Sequence, residues 1–103
     1  MNEKHRDVCE ALGWKVYEDG GKVELEQSSP AGEDFVFYVE SSDFVNEVKT
    51  YALEFDAEEH IEMWVEAKKN DVRGVPSIRR LVEDADDIQK MLNALAIALT
   101  EVQ

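Results

Sequence analysis

Eight apolar residues, Ile78, Leu81, Ala85, Ile88, Leu92, Leu95, Leu99 and Val102, recur at alternating steps of three and four near the end of a 103-residue chain. At 3.6 residues per turn this spacing places them on one stripe of a helix. A stripe of that length must be covered. A sheet of the same chain can take it, or a second copy can dock along it as a heptad-type coiled coil, and the spacing alone admits both. Asp84 and Asp87 fall inside the run, so the region reads as one helix or as two.

The sheet that would serve as a cover is visible upstream. Residues 2–12 read as a short helix with Val8, Ala11 and Leu12 on one side, and Gly13 stands where a helix would stop in the left-handed conformation. The period then changes to two. Trp14 to Glu18 and Lys22 to Glu26 alternate across Asp19-Gly20-Gly21, a β-hairpin signature. Val23 and Leu25 point one way, Glu24 and Glu26 the other, which implies one buried face and one wet face. A turn-rich segment from Ser28 to Gly32 leads into Phe35-Val36-Phe37-Tyr38-Val39. Both faces of that strand are apolar or aromatic, so it reads as the central or most buried strand.

Helical spacing resumes after Val39. Ser41 and Ser42 are expected to cap a helix carrying Phe44, Val45, Val48, Tyr51, Ala52 and Phe55. Asp56 and Glu59 resemble a capping box, which restarts a helix at Ala57 with Ile61, Trp64, Val65 and Lys68 on its inner side. Asn70 to Pro76 reads as a connecting loop, and Ser77 as the cap of the final region. The expectation is a single α+β domain spanning residues 1–103, in the order αβββαα(α), with a three-stranded antiparallel sheet covered on one face by helices. Its core draws on Leu12, Trp14, Val16, Val23, Leu25, Phe35, Phe37, Val39, Phe44, Val48, Ile61, Trp64, Leu81, Ile88, Leu92 and Leu95.

Motifs that carry chemistry are not found. There is no Gly-x-Ser-x-Gly, and Val75-Pro76-Ser77 reads as loop and helix cap. Gly20-Gly21 belongs to a hairpin and Gly74 precedes a proline, so neither is a phosphate-binding loop. Glu59, His60 and Glu62 cluster on one helix, but His-Glu-x-x-His is absent and no Pro-Cys-x-x-Cys follows, so His60 reads as a solvated histidine among acids. His5 reads as a polar residue on an exposed N-terminal turn. Cys9, the one cysteine, excludes an internal disulfide or a cysteine-based zinc site and reads as a small apolar residue. No catalytic, cofactor-binding or metal residue is assigned, and the chain is expected not to be an enzyme. The N-terminus lacks an apolar leader and no window approaches 18 uninterrupted apolar residues, so the expected compartment is the cytoplasm.

Charge is the remaining signal. The chain holds 24 Asp and Glu against 11 Lys and Arg, a formal charge of -13. Eleven of the acids lie between Glu33 and Glu66, where Lys49 is the one base. Within that segment Glu54, Glu58, Glu62 and Glu66 recur at steps of four. On a continuous helix they would form one line with about 6 Å of rise between neighbours, at a cost of about 0.2–0.5 kcal/mol per like-charged pair. One explanation is a solvated face that keeps an acidic protein in solution. The other is a surface for a cationic partner, in which the carboxylates imitate backbone phosphates in the groove of a nucleic-acid-binding protein. Glu54, Glu58, Glu59, Glu62 and Glu66 are the candidate partner-binding residues. A basic cluster, Lys68, Lys69, Arg73, Arg79 and Arg80, reads as neutralising this segment in cis, and the net charge argues against direct binding of nucleic acid.

The runs Ser29-Pro30-Ala31-Gly32-Glu33-Asp34-Phe35, Phe55-Asp56-Ala57-Glu58-Glu59-His60 and Gly74-Val75-Pro76-Ser77-Ile78 resemble small acidic proteins of unassigned function encoded in prophages and mobile elements of gut bacteria, over residues 13 to 95. The resemblance implies a context in which small acidic proteins act against host defence, some by imitating DNA. It carries no site residues with it. The leading expectation is a non-enzymatic acidic protein-binding module, with no cofactor and no membrane contact. The alternative is a homo-oligomeric assembly protein using the Ile78 to Val102 seam or the exposed face of the Phe35 to Val39 strand.

Overall fold

A computed structural model describes residues 1–30, 32–68 and 78–102, with backbone alone at 67, 68 and 78. The expected connection at 70–76, the Ser77 cap, and Lys69 and Arg73 of the basic cluster lie outside the described residues. The fold is α+β: α1 (Glu3–Ala11), β1 (Lys15–Asp19), β2 (Lys22–Ser28), β3 (Asp34–Glu40), a 3-10 turn (Ser41–Asp43), α2 (Phe44–Glu54), α3 (Ala57–Lys68) and α4 (Ile78–Glu101).

Local chemistry accounts for the first half. Asn2 caps α1, its side-chain oxygen accepting from His5 N at 2.9 Å. The helix ends in a Schellman motif: Trp14 N donates to Cys9 O and Gly13 N to Glu10 O, both at 3.0 Å, with Gly13 at φ +93°. Gly20 and Gly21 both have positive φ, which the two-residue turn of the β1–β2 hairpin requires. The register places Val16 opposite Leu25 and Leu25 opposite Phe37, so apolar side chains stack row by row on the inner face. Tyr17, Glu24 and Tyr38 share a row on the outer face, where burial of the Tyr38 phenol plays little part and a hydrogen bond to the Glu24 carboxylate raises its pKa.

Strand order is β1-β2-β3, so the third strand is not the central one, although it carries three buried side chains against two on β2. β3 is an edge strand, because among the described residues the meander pairs it with β2 alone. Its burial alternates strictly, with Phe35, Phe37 and Val39 inside and Val36 and Tyr38 exposed. The expected serine cap also differs. Ser41 and Ser42 enter the 3-10 turn, and α2 starts from Asp43 without a side-chain cap bond.

The seam resolves as one uninterrupted 24-residue helix. Leu81, Ala85, Ile88, Leu92, Leu95 and Leu99 are buried, and the last four join the inner face of the sheet, Phe44, Val45, Val48 and Ala52 of α2, and Cys9 of α1 in one core cluster. Burying each Leu or Ile is worth about 1.5–3 kcal/mol. Six of the eight seam residues are thus covered in cis; Val102 is 38% exposed, and the side chain of Ile78 lies outside the described residues. Core membership differs from expectation at both ends. Leu12 is exposed because it caps α1 and turns away, and Val16 is half-buried on an edge strand. Ile61 and Trp64 are half-buried because α3 packs on α4 and not under the sheet. Among the described residues no helix is long and apolar enough to cross a membrane.

Candidate functional site

The break between α2 and α3 turns the chain at Phe55 and Asp56, both of which line a cleft. Phe55 leaves the helix at ψ 122°, and Gln89 Nε2 of α4 donates to the Ala52 carbonyl at 2.9 Å, satisfying a carbonyl in the final turn of α2. Asp56 then caps α3, its Oδ1 accepting from Glu58 N at 3.0 Å and Glu59 N at 3.2 Å. The restart at Ala57 therefore occurs as the Asp-x-x-Glu spacing predicts.

Opposite this corner runs the loop that enters β3. Ser29, itself buried, clamps it: Ser29 N donates to Glu33 O at 2.8 Å, and Glu33 N returns a bond to Ser29 Oγ at 3.1 Å. Ser28 Oγ donates to Asp34 Oδ1 at 3.2 Å. These bonds fix the directions in which Glu33 and Asp34 project.

Loop and corner together enclose an open cleft of about 460 Å³. Five carboxylates line it, Glu33 and Asp34 from the loop and Glu54, Asp56 and Glu59 from the corner, and among the described residues no Lys or Arg does. Its floor is aromatic. Phe35 meets Phe55 edge-on at 6.0 Å, and Tyr51 stacks on Phe37 at 4.4 Å with its phenol pKa raised by burial. An open, anionic, ring-floored cleft suits a cationic group: the rings offer a quadrupole face worth about 0.5–1 kcal/mol to a cation at an exposed site, and the carboxylates add charge.

His60 stands at the inner end of this cleft, which corrects its reading as a solvated residue. The ring is packed against Phe55 and Phe35, with centroids at 5.5 and 5.8 Å. Its Nε2 donates to Glu33 Oε2 at 2.9 Å, the two side chains being 16% and 21% exposed. The bond to Glu33 raises the histidine pKa, burial opposes it, and the charges of Glu33 and Asp84 add to the rise. Asp84 reaches the same point from α4, and one ligand atom from each of Glu33, His60 and Asp84 lies within 4.8 Å of the others.

The five residues expected to bind a partner divide between two places. Glu54 and Glu59 are on the cleft. Glu58, Glu62 and Glu66 are exposed along α3 and do not line it. Glu54 belongs to α2, so the four-residue ladder is split by the Phe55 break and never forms one line. Glu33, Asp34 and Asp56 also line the cleft, and no spacing links them to the candidate residues, since a loop and a helix cap contribute them. Asp84 did carry a signal. It lies three residues after Leu81 and four before Ile88, on the apolar stripe, where a carboxylate requires a partner. His5 is likewise not a free polar residue, since its ring stacks on Phe44 at 5.9 Å.

Comparison with protein-family models, with curated proteins and with solved structures finds no match to this chain.

Proposed function

We propose that this chain is a non-catalytic binding module for a cationic protein surface, and that the cleft beside the α2–α3 corner receives a basic side chain of the partner. The observation that carries the reading is the lining itself: five carboxylates around an aromatic floor, with His60 at its inner end and no Lys or Arg among the described residues that line it. A guanidinium suits such a cleft better than an ammonium, since it is planar, stacks on rings and forks onto carboxylates. Glu58, Glu62 and Glu66 extend the anionic surface along α3, with about 6 Å of rise between successive members. In the finer form of this reading they stand in for phosphates, and the partner is a nucleic-acid-binding protein.

An arginine-rich peptide tests the cleft, provided the general effect of net charge is separated from it. The Glu54→Gln/Glu59→Gln variant is compared with Glu10→Gln/Glu101→Gln, which carries the same net charge but changes carboxylates away from the cleft. Fluorescence anisotropy should show salt-sensitive binding that the first variant loses and the second keeps. Equal losses in the two variants would reduce the acidic surface to a solubility device. A lysine peptide of equal length should bind more weakly than the arginine peptide.

A further inference from the structure

We propose that Glu33, His60 and Asp84 form a binding site for one divalent transition-metal ion. The three come from separate elements, the loop before β3, the first turn of α3 and the buried side of α4. Their ligand atoms nevertheless lie within 4.8 Å of one another. Donor atoms about 2.0–2.2 Å from a shared ion stand roughly 3.3–3.6 Å apart in a tetrahedral arrangement. His60 Nε2 and Glu33 Oε2, at 2.9 Å, are already closer than that, so an ion requires them to part slightly while Asp84 draws in.

Burial separates this trio from the acids scattered over the surface. Asp84 is 2% exposed, so its carboxylate would meet an ion where water is excluded and charge attraction is little screened. His60 is held in place by Phe35 and Phe55, so its imidazole is pre-positioned. One imidazole with two carboxylates suits the borderline ions, zinc, cobalt, manganese and ferrous iron, better than a soft ion. Glu33 and His60 also line the cleft, which leaves that side of the ion open to water or to a donor from a bound ligand. Arg80, Glu83 and Asp87 line a smaller cavity together with Asp84. An ion held by the trio would tie the β3 loop and α3 to α4.

The test uses the whole chain after treatment with a chelator, titrated above neutral pH with Zn²⁺ by calorimetry and with Co²⁺ by visible absorption. One ion per chain should bind, with a cobalt spectrum of low coordination number and a rise in the melting temperature. Glu33→Gln and His60→Gln should each weaken binding about tenfold or more, at least the loss seen when an outer-shell partner is removed, while His5→Gln leaves it unchanged. Far-UV circular dichroism of the chelated variants checks the fold. Glu33 sits on a half-exposed loop, so its variant remains informative if His60→Gln fails to fold. Wild-type binding without saturation, or saturable binding unchanged in Glu33→Gln, would overturn the site. The peptide experiment changes only Glu54 and Glu59 within the cleft, so the metal site and the partner reading fail separately.

Discussion

Gly13 and Gln27 occupy complementary positions: the Gln27 amide fills the space a Cβ on Gly13 would need, and from there Nε2 donates to the Leu12 carbonyl at 2.7 Å. The end of α1 is thereby tied to the central strand. The tie works only because residue 13 lacks a side chain and sits at φ +93°.

Gly13→Ala is expected to cost about 2–3 kcal/mol. Positive φ accounts for roughly 1–2 kcal/mol, and displacement of the Gln27 amide for roughly 0.5–1.5 kcal/mol. Once Gln27→Ala has vacated the space, only the backbone part should remain, so the double variant should be more stable than the summed single effects imply. Urea denaturation of the four proteins checks this, and strict additivity would contradict it.

Leu92 and Leu53 separate the stripe that is covered from the surface that is not. Leu92 is fully buried, whereas Leu53 is 86% exposed. Leu92→Asp leaves both a cavity and an unpaired buried charge, a cost of about 5 kcal/mol or more, comparable to the whole stability of a small domain. It should unfold the protein outright. Leu53→Gln should fall within about 0.5 kcal/mol of the wild type. Thermal denaturation followed by circular dichroism distinguishes the two, and a folded Leu92→Asp protein would return the seam to intermolecular use.

The elements were legible because periodicity and punctuation agree over them: the Gly20-Gly21 hairpin, the restart at Asp56 and the 3-4 stripe each declare themselves locally. What failed were statements about neighbours. The Phe35 to Val39 run is apolar on both faces, a composition that reads as a central or most buried strand. Strand order is set by connection length and not by composition, so the meander left β3 at the edge. The cleft was less legible still. Its carboxylates come from a loop, a helix end and a cap, and a bond between Glu33 and His60 across 27 positions has no signature in spacing. Asp84 on the apolar stripe was the one clue, and it reads equally as a helix breaker until the fold supplies His60 and Glu33.

Cys9 should be chemically silent in the folded protein. It is fully buried in the core, and burial pushes its thiol pKa up to about 12, so neither thiolate nor access is available at neutral pH. A thiol reagent should label it fully in denaturant and negligibly without it. Under native conditions the residual rate should track global unfolding and fall in proportion as stability rises. Fast labelling of the native protein would show that α1 opens independently of the sheet.

His5 gives a pH dependence of defined sign. Burial against Phe44, and then the charge of the Met1 amino group, lower its pKa from the ordinary value of 6.5. The unfolded chain therefore takes up this proton before the folded one does, and the stability contributed by His5 falls as pH drops through 6.5 towards the folded midpoint. A proton NMR titration should place His5 below 6.5, and Phe44→Leu should move it upward by loosening the stack. A midpoint at or above 6.5 would show that the stack does not persist in solution.

Glu62 tests whether the acidic row on α3 is maintained against the stability of the helix. It lies four residues from Glu58 and from Glu66, exposed like both, and each such like-charged pair costs about 0.2–0.5 kcal/mol. Glu62→Lys replaces two repulsions with two attractions. The Glu58 pair gains more, since a glutamate N-terminal to a lysine is the better order. The expected gain is about 1 kcal/mol at low salt, shrinking once the Debye length falls below the separation of the side chains. Glu62→Gln should deliver roughly half. If both variants are more stable while the Lys form loses affinity for a nucleic-acid-binding partner and keeps its affinity for the short arginine peptide, the row and the cleft perform separate parts of recognition. If stability is unchanged at low salt, the repulsion is already screened by the solvent around α3, and the row carries no cost for binding to offset.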